Sequence, residues 1–424
     1  MLEDRLQGSH MADELRKLED LGDVSGRRVL DRVDYNVKFK SDGGIKETKR
    51  IDDSLDTIKY FVDRGAKLIL MTHNGRPEGK PDPKYSIEPV VAYLSEKLGR
   101  KVLFSSECVG AIPQGIVSNM NNGDVLLLQN LRFDPREQKN DASFAQELVM
   151  MGDLYVNDSF GTAHNDKDTS TIALPEYMKS QGKGVAAGRL MQREVEMLSS
   201  LLAPIGDPVA VMGGAKVSDK LKVLQQLAKK YDLCIGGAMA NTFLKAHGYD
   251  VGMSLVEADF VDKAKELMDN YNILIPADVV VAKITNKDNI PGGKLTPADY
   301  NSVRTVNFGN GEKVAPEETI LDIGAATVEL YGTELGRAGT IIWNGPMGYF
   351  EAKEFSAGTN GIARKIAESP AAIKVAGGGE SIDAVHASGY SDKIQLSTGG
   401  GAMLKYVETD GKLNSIMILS VPKN

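Results

Sequence analysis

Short apolar, β-branched runs alternate with longer amphipathic runs along most of the chain. Arg28–Val37 and Lys67–Met71 have the character of buried strands, and Ile51–Arg64 between them has the spacing of a helix with one apolar face. Strands that alternate with helices predict right-handed βαβ units and a mostly parallel sheet covered by helices on both faces. We therefore predict an α/β domain over residues 12–187.

The region from Gly182 to Ala203 interrupts this alternation. It has the pattern of one long amphipathic helix with no strand attached, and we assign 188–203 to a connecting helix. A second alternating series follows over 204–405, with one strand predicted at Ile273–Val281. The predicted fold class is thus α/β with two domains, each a mostly parallel sheet with helices on both faces, joined by a long helix.

The composition is that of an ordinary soluble protein, with 42% hydrophobic and 25% charged residues. The formal net charge of −8 argues against nucleic acid or an anionic membrane as the main partner. Cys108 and Cys234 are far apart and lack a metal-ligand spacing, which favours free thiols in a reducing cytoplasm. No apolar stretch has the length of a membrane span, and residues 1–11 resemble an expression scar.

Glycines follow three predicted strands of the second half of the chain. Two of these groups are triple glycines, Gly377-Gly378-Gly379 and Gly399-Gly400-Gly401. The third, Gly213-Gly214, is followed by Lys216 and Lys220. Glycines at strand ends let backbone N–H groups approach a ligand, and a helix start adds partial positive charge. The pattern predicts a phosphate cradle with a nucleotide as its occupant.

Side chains near these glycines could complete such a site. Lys216 and Lys220 would share one helical face, although lysines so placed can also serve only solubility. Glu351 could bind ribose hydroxyls, and Glu380 could reach a magnesium ion, although both could instead be helix-capping acids. The two commonest nucleotide-binding fingerprints are absent from the sequence, so a kinase of another class is required.

Basic side chains collect after successive predicted strands of the first half. Because the carboxyl ends of parallel strands meet at one sheet edge, these groups would converge on one anionic ligand, with Asp34 and Asn36 available for its hydroxyls. The alternative is that individual arginines are solvated loop charges or local ion pairs. The basic residues are Arg32, Arg50, His73, Arg76, Arg132 and His164.

Taken in order, these segments resemble the phosphoglycerate kinase family from Arg28 to about Val407. Any one segment would be a weak signal, whereas the ordered set is highly specific. The segments that resemble the family's motifs are Arg32-Val-Asp-Tyr-Asn36, His73-Asn-Gly-Arg76-Pro77, Asn130-Leu-Arg132-Phe133, Val156-Asn-Asp-Ser-Phe-Gly-Thr-Ala-His164, Gly213-Gly-Ala-Lys-Val-Ser-Asp-Lys220, Trp343-Asn-Gly-Pro-Met-Gly-Tyr-Phe-Glu351 and Ser397-Thr-Gly-Gly-Gly-Ala402.

The resemblance implies reversible phosphoryl transfer between ATP and the carboxylate of 3-phosphoglycerate, with Mg²⁺, in glycolysis or gluconeogenesis. It implies a cytoplasmic, monomeric hinge-bending enzyme that binds the acid on the N-terminal domain and ATP or ADP on the C-terminal domain. Residues 406–424 would return to the N-terminal domain, with a last strand around Ile416–Leu419. No nucleic acid or membrane partner is expected.

The resemblance also implies a role for particular residues. Arg50 and Lys216 would be catalytic, flanking the transferred group. The acid would be bound by Arg32, Asp34, Asn36, Arg50, His73, Asn74, Gly75, Arg76, Arg132 and His164. The nucleotide would be bound by Gly213, Gly214, Lys220, Gly237, Leu321, Asn344, Pro346, Glu351, Gly377, Gly378, Gly379, Glu380 and Ser381, with Glu380 also binding the metal.

Three positions depart from the family pattern. Asn165 stands where the family has an arginine facing the acid's phosphate, and losing that contact would cost about 1.5–3 kcal/mol. Glu380 replaces the aspartate of the second glycine motif, and Ala325 replaces a proline near the expected base pocket. The retained Arg50 and Lys216 favour an active phosphoglycerate kinase over a paralogue acting on another small acid or a non-catalytic nucleotide-binding protein.

Overall fold

The structure, a computed structural model, describes residues 14–285 and 295–421; the suggested scar at 1–11 lies outside them. The chain divides into two compact units, the first running to Glu196 and resuming at Lys412, and the second spanning Met197–Gly411. The division falls inside the helix Arg189–Leu202, which occupies the predicted connecting segment. The acid-binding and nucleotide-binding roles of the two domains stay predictions.

The first unit is built around a parallel sheet whose strands are nearly all buried. The strands of the first unit up to the division are β1 (Glu14–Leu15), β2 (Arg28–Val33), β3 (Lys67–Met71), β4 (Val102–Phe104), β5 (Val125–Leu127), β6 (Leu154–Asp158) and β7 (Gly184–Ala187). Its helices before the division are α1 (Lys49–Asp52), α2 (Leu55–Asp63), α3 (Val90–Leu98), α4 (Ala111–Ser118), α5 (Ala142–Val149), α6 (Ala173–Ser180) and α7 (Arg189–Leu202).

Six of these strands form one sheet in the order β4-β5-β3-β2-β6-β7, and every pairing in it is parallel. Burial on both faces explains why the strands are continuous apolar runs. Amphipathic helices supply the covering layers; α2, for example, turns the fully buried Ile58 and Phe61 toward a core that includes Leu68 and Val156. This arrangement places the loops after β2, β3 and β6 at one edge.

The second unit contains another parallel sheet and a smaller antiparallel one. Its strands are β8 (Asp207–Met212), β9 (Asp232–Ile235), β10 (Ile273–Leu274), β11 (Asp278–Ile284), β12 (Tyr300–Asn307), β13 (Glu318–Ile323), β14 (Ala338–Asn344), β15 (Ile373–Gly377) and β16 (Gln395–Ser397). Its helices are α8 (Leu221–Leu227), α9 (Met239–His247), α10 (Val261–Asn270), α11 (Ala325–Arg337), α12 (Ala357–Glu368), α13 (Gly379–Ser388) and α14 (Gly400–Glu408).

The larger sheet has six strands in the order β10-β9-β8-β14-β15-β16, all parallel. Its core includes Val211, Ile341 and the fully buried Trp343. The smaller sheet has three antiparallel strands in the order β12-β11-β13. The predicted α/β class and two parallel sheets are therefore confirmed, and the antiparallel sheet is an addition that the sequence pattern did not reveal.

After the second unit the chain adds two short elements to the first, α15 (Asn414–Met417) and β17 (Ser420–Val421). Strand β17 pairs antiparallel with β1. The strand predicted at Ile416–Leu419 is wrong: Ile416 is a buried residue of α15, and the strand begins only at Ser420. A four-residue apolar run cannot distinguish a short helix from a strand by periodicity.

Two other predicted strands differ from the structure, and one strand was not predicted. The strand expected over Arg28–Val37 ends at Val33, because the next residues form local turns in which the Val37 N–H donates to the Tyr35 carbonyl. The single strand expected over Ile273–Val281 is divided between β10 and β11, which belong to different sheets. The glycine-rich start of the connecting region contains β7, which pairs with β6 and was not predicted.

Within the described ranges, no helix is long and apolar enough to cross a membrane.

Candidate functional site

The basic residues of the first unit follow neighbouring strands of its sheet. Arg32 in β2 lies in register with Met71 at the end of β3 and with Asn157 in β6. The loops after these strands therefore begin side by side. We call Arg32, Arg50, His73 and Arg132 the basic cluster, because all three arginines are close enough for their positive charges to act on the His73 imidazole.

Arg32 and His73 form the buried part of this cluster. The Arg32 side chain is fully buried, with Nη2 3.0 Å from Nδ1 of His73. A guanidinium only donates hydrogen bonds, so Nδ1 accepts and the ring proton of His73 lies on Nε2. Burial lowers the pKa of His73 well below its ordinary value, and the neighbouring arginines lower it further. The imidazole is consequently neutral, with Nε2 as a hydrogen-bond donor.

One polar pair lies within the segment that follows β2, and a second connects this segment to the loop that follows β3. Arg50 forms an ion pair with Asp34, whose side chain is almost completely buried. The exposed Asn36 accepts a hydrogen bond from the Gly75 N–H at 3.0 Å. The segments predicted to bind the acid therefore hold one another in place.

Arg132 lies between the loop after β3 and a buried carboxylate. Its Nη1 donates to the Gly75 carbonyl at 3.0 Å, and its Nη2 is 3.7 Å from Oδ2 of Asp168. The other oxygen of Asp168 accepts a hydrogen bond from Nδ2 of Asn165 at 2.7 Å. The Arg132 side chain is 12% exposed and that of Asp168 is 0% exposed, so the pair is largely desolvated. Burial raises the pKa of Asp168, against the opposing charges of Arg32 and Arg132.

A second buried acid is linked to Arg32 through a serine. Nε of Arg32 donates to Oγ of Ser170 at 2.9 Å, and that hydroxyl donates to Oε1 of Glu137 at 2.5 Å. Oε2 of Glu137 accepts from the Ser170 N–H at 3.1 Å. Burial raises the pKa of Glu137 to about 7, with the Asp168 charge adding to the shift.

The remaining acid-binding candidates occupy the rim of the cluster. The Asn74 carbonyl accepts a hydrogen bond from Nδ2 of Asn130 at 2.7 Å, which fixes the loop that carries His73. Arg76 is exposed and has no ion-pair partner in the part of the chain that the structure describes. His164 is exposed. Desolvation lowers the pKa of its imidazole, and the negative charges of Asp168 and Asp34 oppose this shift.

The structure thus assembles the basic residues but gives most of them an acidic neighbour. Arg50 has Asp34, Arg132 has Asp168, and Arg32 reaches Glu137 through Ser170. Asp168, Glu137 and Ser170 were not predicted from the sequence, because an acid or a serine in a loop is ordinarily solvated. The signal that could have found Asp168 was its position three residues after Asn165, the departure from the family pattern.

The glycines of the second unit lie where three backbone segments approach one another. The N–H groups of Gly213 and Gly214 donate to the carbonyls of Asn344 and Pro346. A Cβ at Gly213 would lie 2.0 Å from the Pro346 carbonyl, and one at Gly237 would lie 2.6 Å from the Gly214 backbone. These glycines therefore permit backbone-to-backbone packing, and the N–H groups of Gly213 and Gly214 are engaged by backbone carbonyls. The assignment of both glycines to the nucleotide site stays a prediction.

The triple glycines instead position two helix starts. Helix α13 begins at Gly379 and α14 at Gly400, and a Cβ at Gly400 would lie 2.3 Å from the Gly378 Cα. The first turns of the two helices are therefore adjacent. Because N-terminal N–H groups lack intrahelical partners and carry partial positive charge, this pair of starts is suited to a phosphate.

Lys220 is held at the end of β14. Its Nζ donates to Oδ1 of Asn344 and to the Gly213 carbonyl, both at 2.6 Å. Asn344 in turn donates from Nδ2 to the Gly377 carbonyl at 2.6 Å, and the Gly345 N–H donates to Oγ of Ser381 at 2.7 Å. Burial lowers the pKa of Lys220 to about 8, although the nearby Glu380 carboxylate opposes the shift.

The other nucleotide candidates surround this lysine at different depths. Lys216 and Glu351 are both exposed. Desolvation raises the pKa of Glu380, and the nearby charge of Glu351 raises it further. The Pro346 carbonyl accepts a hydrogen bond from the Gly214 N–H at 3.2 Å. The Leu321 carbonyl accepts from the Tyr349 N–H at 2.7 Å.

Glu380 was predicted to bind magnesium. Mg²⁺ is usually held by one or two carboxylates together with substrate phosphates, and Glu380 supplies one carboxylate in the first turn of α13. No group of three or more His, Cys, Asp or Glu side chains suited to a metal occurs in the described ranges. The residues fit an ion shared between Glu380 and nucleotide phosphates, and they do not form an all-protein metal site.

Comparison with known proteins identifies the family. The Phosphoglycerate kinase family model matches residues 18–410. The chain belongs to the phosphoglycerate kinase family. A phosphoglycerate kinase of Koribacter versatilis is 42% identical over 399 residues, covering 91% of this chain and 94% of the relative. A phosphoglycerate kinase of Pelotomaculum thermopropionicum is 43% identical over 394 residues, with coverages of 91% and 94%.

Solved structures of the family have the same fold. Phosphoglycerate kinase from Coxiella burnetii superposes with a TM-score of 0.81 at 35% identity, covering 96% of this chain and 99% of that one. The enzyme from Pyrococcus horikoshii gives a TM-score of 0.78 at 31% identity, with coverages of 96% and 98%. The predicted family and the predicted kinase activity are confirmed, and the paralogue and the non-catalytic protein are not favoured.

Proposed function

We propose that the chain catalyses reversible phosphoryl transfer between ATP and the carboxylate of 3-phosphoglycerate, giving 1,3-bisphosphoglycerate and ADP in glycolysis or gluconeogenesis. The observation that carries this proposal is the family match over residues 18–410, together with relatives 42% and 43% identical over nearly their whole length. The basic cluster and the paired helix starts supply the two kinds of anion-binding surface that the reaction requires.

In this proposal the basic cluster of the first unit binds the acid. Arg132 and Arg76 offer guanidinium groups to its anionic ends, and neutral His73 donates from Nε2. Asp34 accepts a hydrogen bond from its hydroxyl, and Nδ2 of Asn36 donates one to the hydroxyl oxygen. A carboxylate is already ionised at neutral pH, so its attack on phosphorus requires no general base.

The second unit binds the nucleotide in the same proposal. The starts of α13 and α14 and the Lys220 ammonium group face the phosphates, and Glu351 accepts hydrogen bonds from the ribose. Arg50 and Lys216 compensate the charge that develops on the transferred group. Mg²⁺, bound by Glu380 and the phosphates, would add positive charge beside the leaving oxygen.

We also propose that the enzyme is cytoplasmic, which agrees with the two free, buried thiols of Cys108 and Cys234. A monomer that closes about a hinge to bring acid and nucleotide together is the simplest form of the proposal. Light scattering after size-exclusion chromatography would test the monomer, because a mass near 45.8 kDa is then expected.

A coupled assay with ATP, Mg²⁺ and 3-phosphoglycerate tests the reaction. We expect turnover that depends on all three components and almost no ATP hydrolysis without the acid. Absence of turnover with 3-phosphoglycerate, combined with turnover of another small carboxylic acid, would overturn the proposal. Calorimetric binding of ADP without transfer to any acid would assign the chain to the non-catalytic alternative.

Lys216→Ala tests the catalytic assignment within that assay. The charge that Lys216 compensates develops mainly during transfer, so kcat should fall by about 100-fold or more while the dissociation constant for ADP changes little. Lys222→Ala is the matched control, since Lys222 is an exposed lysine that has no ion-pair partner among the described residues. Equal losses of kcat and ADP affinity would show that Lys216 only binds.

A further inference from the structure

A buried carboxylate, that of Asp168, lies beside the basic cluster and would repel an anionic ligand bound there. Asp168 is fully buried, and its Oδ2 lies 3.7 Å from Nη2 of Arg132, at ion-pair distance but beyond a hydrogen bond. Neither Oδ2 of Asp168 nor Nε of Arg132 has a hydrogen-bond partner in the described part of the chain. The guanidinium is therefore held by the hydrogen bond from Nη1 to the Gly75 carbonyl and by the charge of Asp168, and part of its donor capacity is unused.

Asp168 cannot easily leave this position. Nδ2 of Asn165 donates to its Oδ1 at 2.7 Å. Its carbonyl accepts from the N–H groups of Thr171 and Ile172, both at 3.1 Å, so the backbone belongs to an ordered turn. The carboxylate is consequently a fixed negative charge behind Arg132 and not a mobile counter-ion that a ligand could displace.

We propose that Asp168 is an affinity-determining residue of the acid site, which weakens binding of the anionic substrate by competing with it for Arg132. The inference rests on the proposed function, because it assumes that Arg132 binds the acid. It assigns to Asn165 a second effect: besides lacking a positive charge, its amide holds the competing carboxylate in place.

Electrostatics gives the direction of the effect. A like charge within about 8 Å of a bound anion, in a partly desolvated site, opposes binding appreciably. Asp168→Asn removes that charge and keeps both the size of the side chain and an oxygen that can accept from Asn165. The dissociation constant for 3-phosphoglycerate should therefore fall about tenfold or more, equivalent to about 1.4 kcal/mol.

Isothermal titration calorimetry with 3-phosphoglycerate, at fixed pH and ionic strength, measures this change. Asp153→Asn is the matched control, because it removes the same charge from the first unit at the opposite sheet edge, where Asp153 pairs with Arg28 at 2.6 Å. That control should leave the dissociation constant unchanged, and ADP affinity should be unchanged in both variants. Asp168→Ala, which deletes the carboxylate altogether, provides a second measurement if Asp168→Asn does not fold.

A gain of affinity is informative because damage to the fold does not produce one. Unchanged or weaker binding by the folded Asp168 variants would overturn the inference, and weaker binding would show that Asp168 positions Arg132 productively. Wild-type turnover in the coupled assay reports the proposed function separately. If the wild type turns over 3-phosphoglycerate while the variants bind no more tightly, this inference alone fails; if it neither binds nor turns over the acid, both fail.

Discussion

Glu137 should make the stability of the first unit depend on pH near neutrality. This carboxylate is fully buried, and its pKa is raised from the ordinary value of 4.5 to about 7. The folded state therefore favours the protonated form. The stabilisation from this group is fully present below pH 4.5 and is lost as the pH rises through about 7.

Integrating this difference between pH 5 and pH 8 gives a loss of about 2.5 kcal/mol in the free energy of unfolding, from Glu137 alone. Glu137→Gln removes the titration and keeps the shape. The glutamine oxygen can accept from the Ser170 N–H, and its amide can donate to the Ser170 hydroxyl. The variant should therefore gain about 2.5 kcal/mol relative to the wild type between these two pH values.

Urea unfolding at pH 5 and pH 8 provides the measurement. The single tryptophan, Trp343, lies in the second unit, so its fluorescence follows that unit, whereas circular dichroism follows both units and therefore includes the one that contains Glu137. Comparing the variant with the wild type at each pH cancels contributions that do not titrate. Glu176→Gln, which changes an exposed acid on α6, should show no such difference. A Glu137→Gln effect that is the same at both pH values would refute the reasoning.

Three further outcomes are expected. ADP affinity should fall as the pH rises through about 8, because Lys220 loses its proton there. The Lys220→Met variant should bind ADP more weakly and lose this pH dependence. ADP binding by the wild type that does not depend on pH would count against a contact between Lys220 and a phosphate. Gly345→Ala should cost more than about 2 kcal/mol in the unfolding of the second unit, because φ is 90° and the added Cβ would lie 2.5 Å from the Gly213 carbonyl; an unchanged midpoint of tryptophan fluorescence would exclude this. Tyr155→Phe should lower the unfolding free energy of the first unit by about 1 kcal/mol, since the buried hydroxyl donates to the Ser170 carbonyl at 2.8 Å, and equal stability in urea would contradict it.

The parallel sheets could be predicted because their strands are buried on both faces. Strand β3, for example, is an apolar run whose bounds in the structure are those that the pattern gave. Strand β12 of the antiparallel sheet left no comparable signal. Residues 301–305 of β12 are exposed and mostly polar, so hydrophobic periodicity could not mark the strand.

The candidate site was predictable in position but not in charge balance. Strand ends place Arg32, His73 and Arg132 at one edge of any parallel sheet with these strands adjacent. That Glu137 and Asp168 are buried against the arginines depends on packing between segments remote in sequence. Propensity and spacing do not report such packing, and the same holds for the backbone contacts that Gly213 and Gly237 make possible.

The pairing of β1 with β17 has a consequence for biosynthesis. A ribosome delivers the whole of the second unit before it delivers Leu419, Ser420 and Val421, although these residues complete the first unit. Until the second unit has been made, Glu14 and Leu15 therefore lack the strand with which they pair.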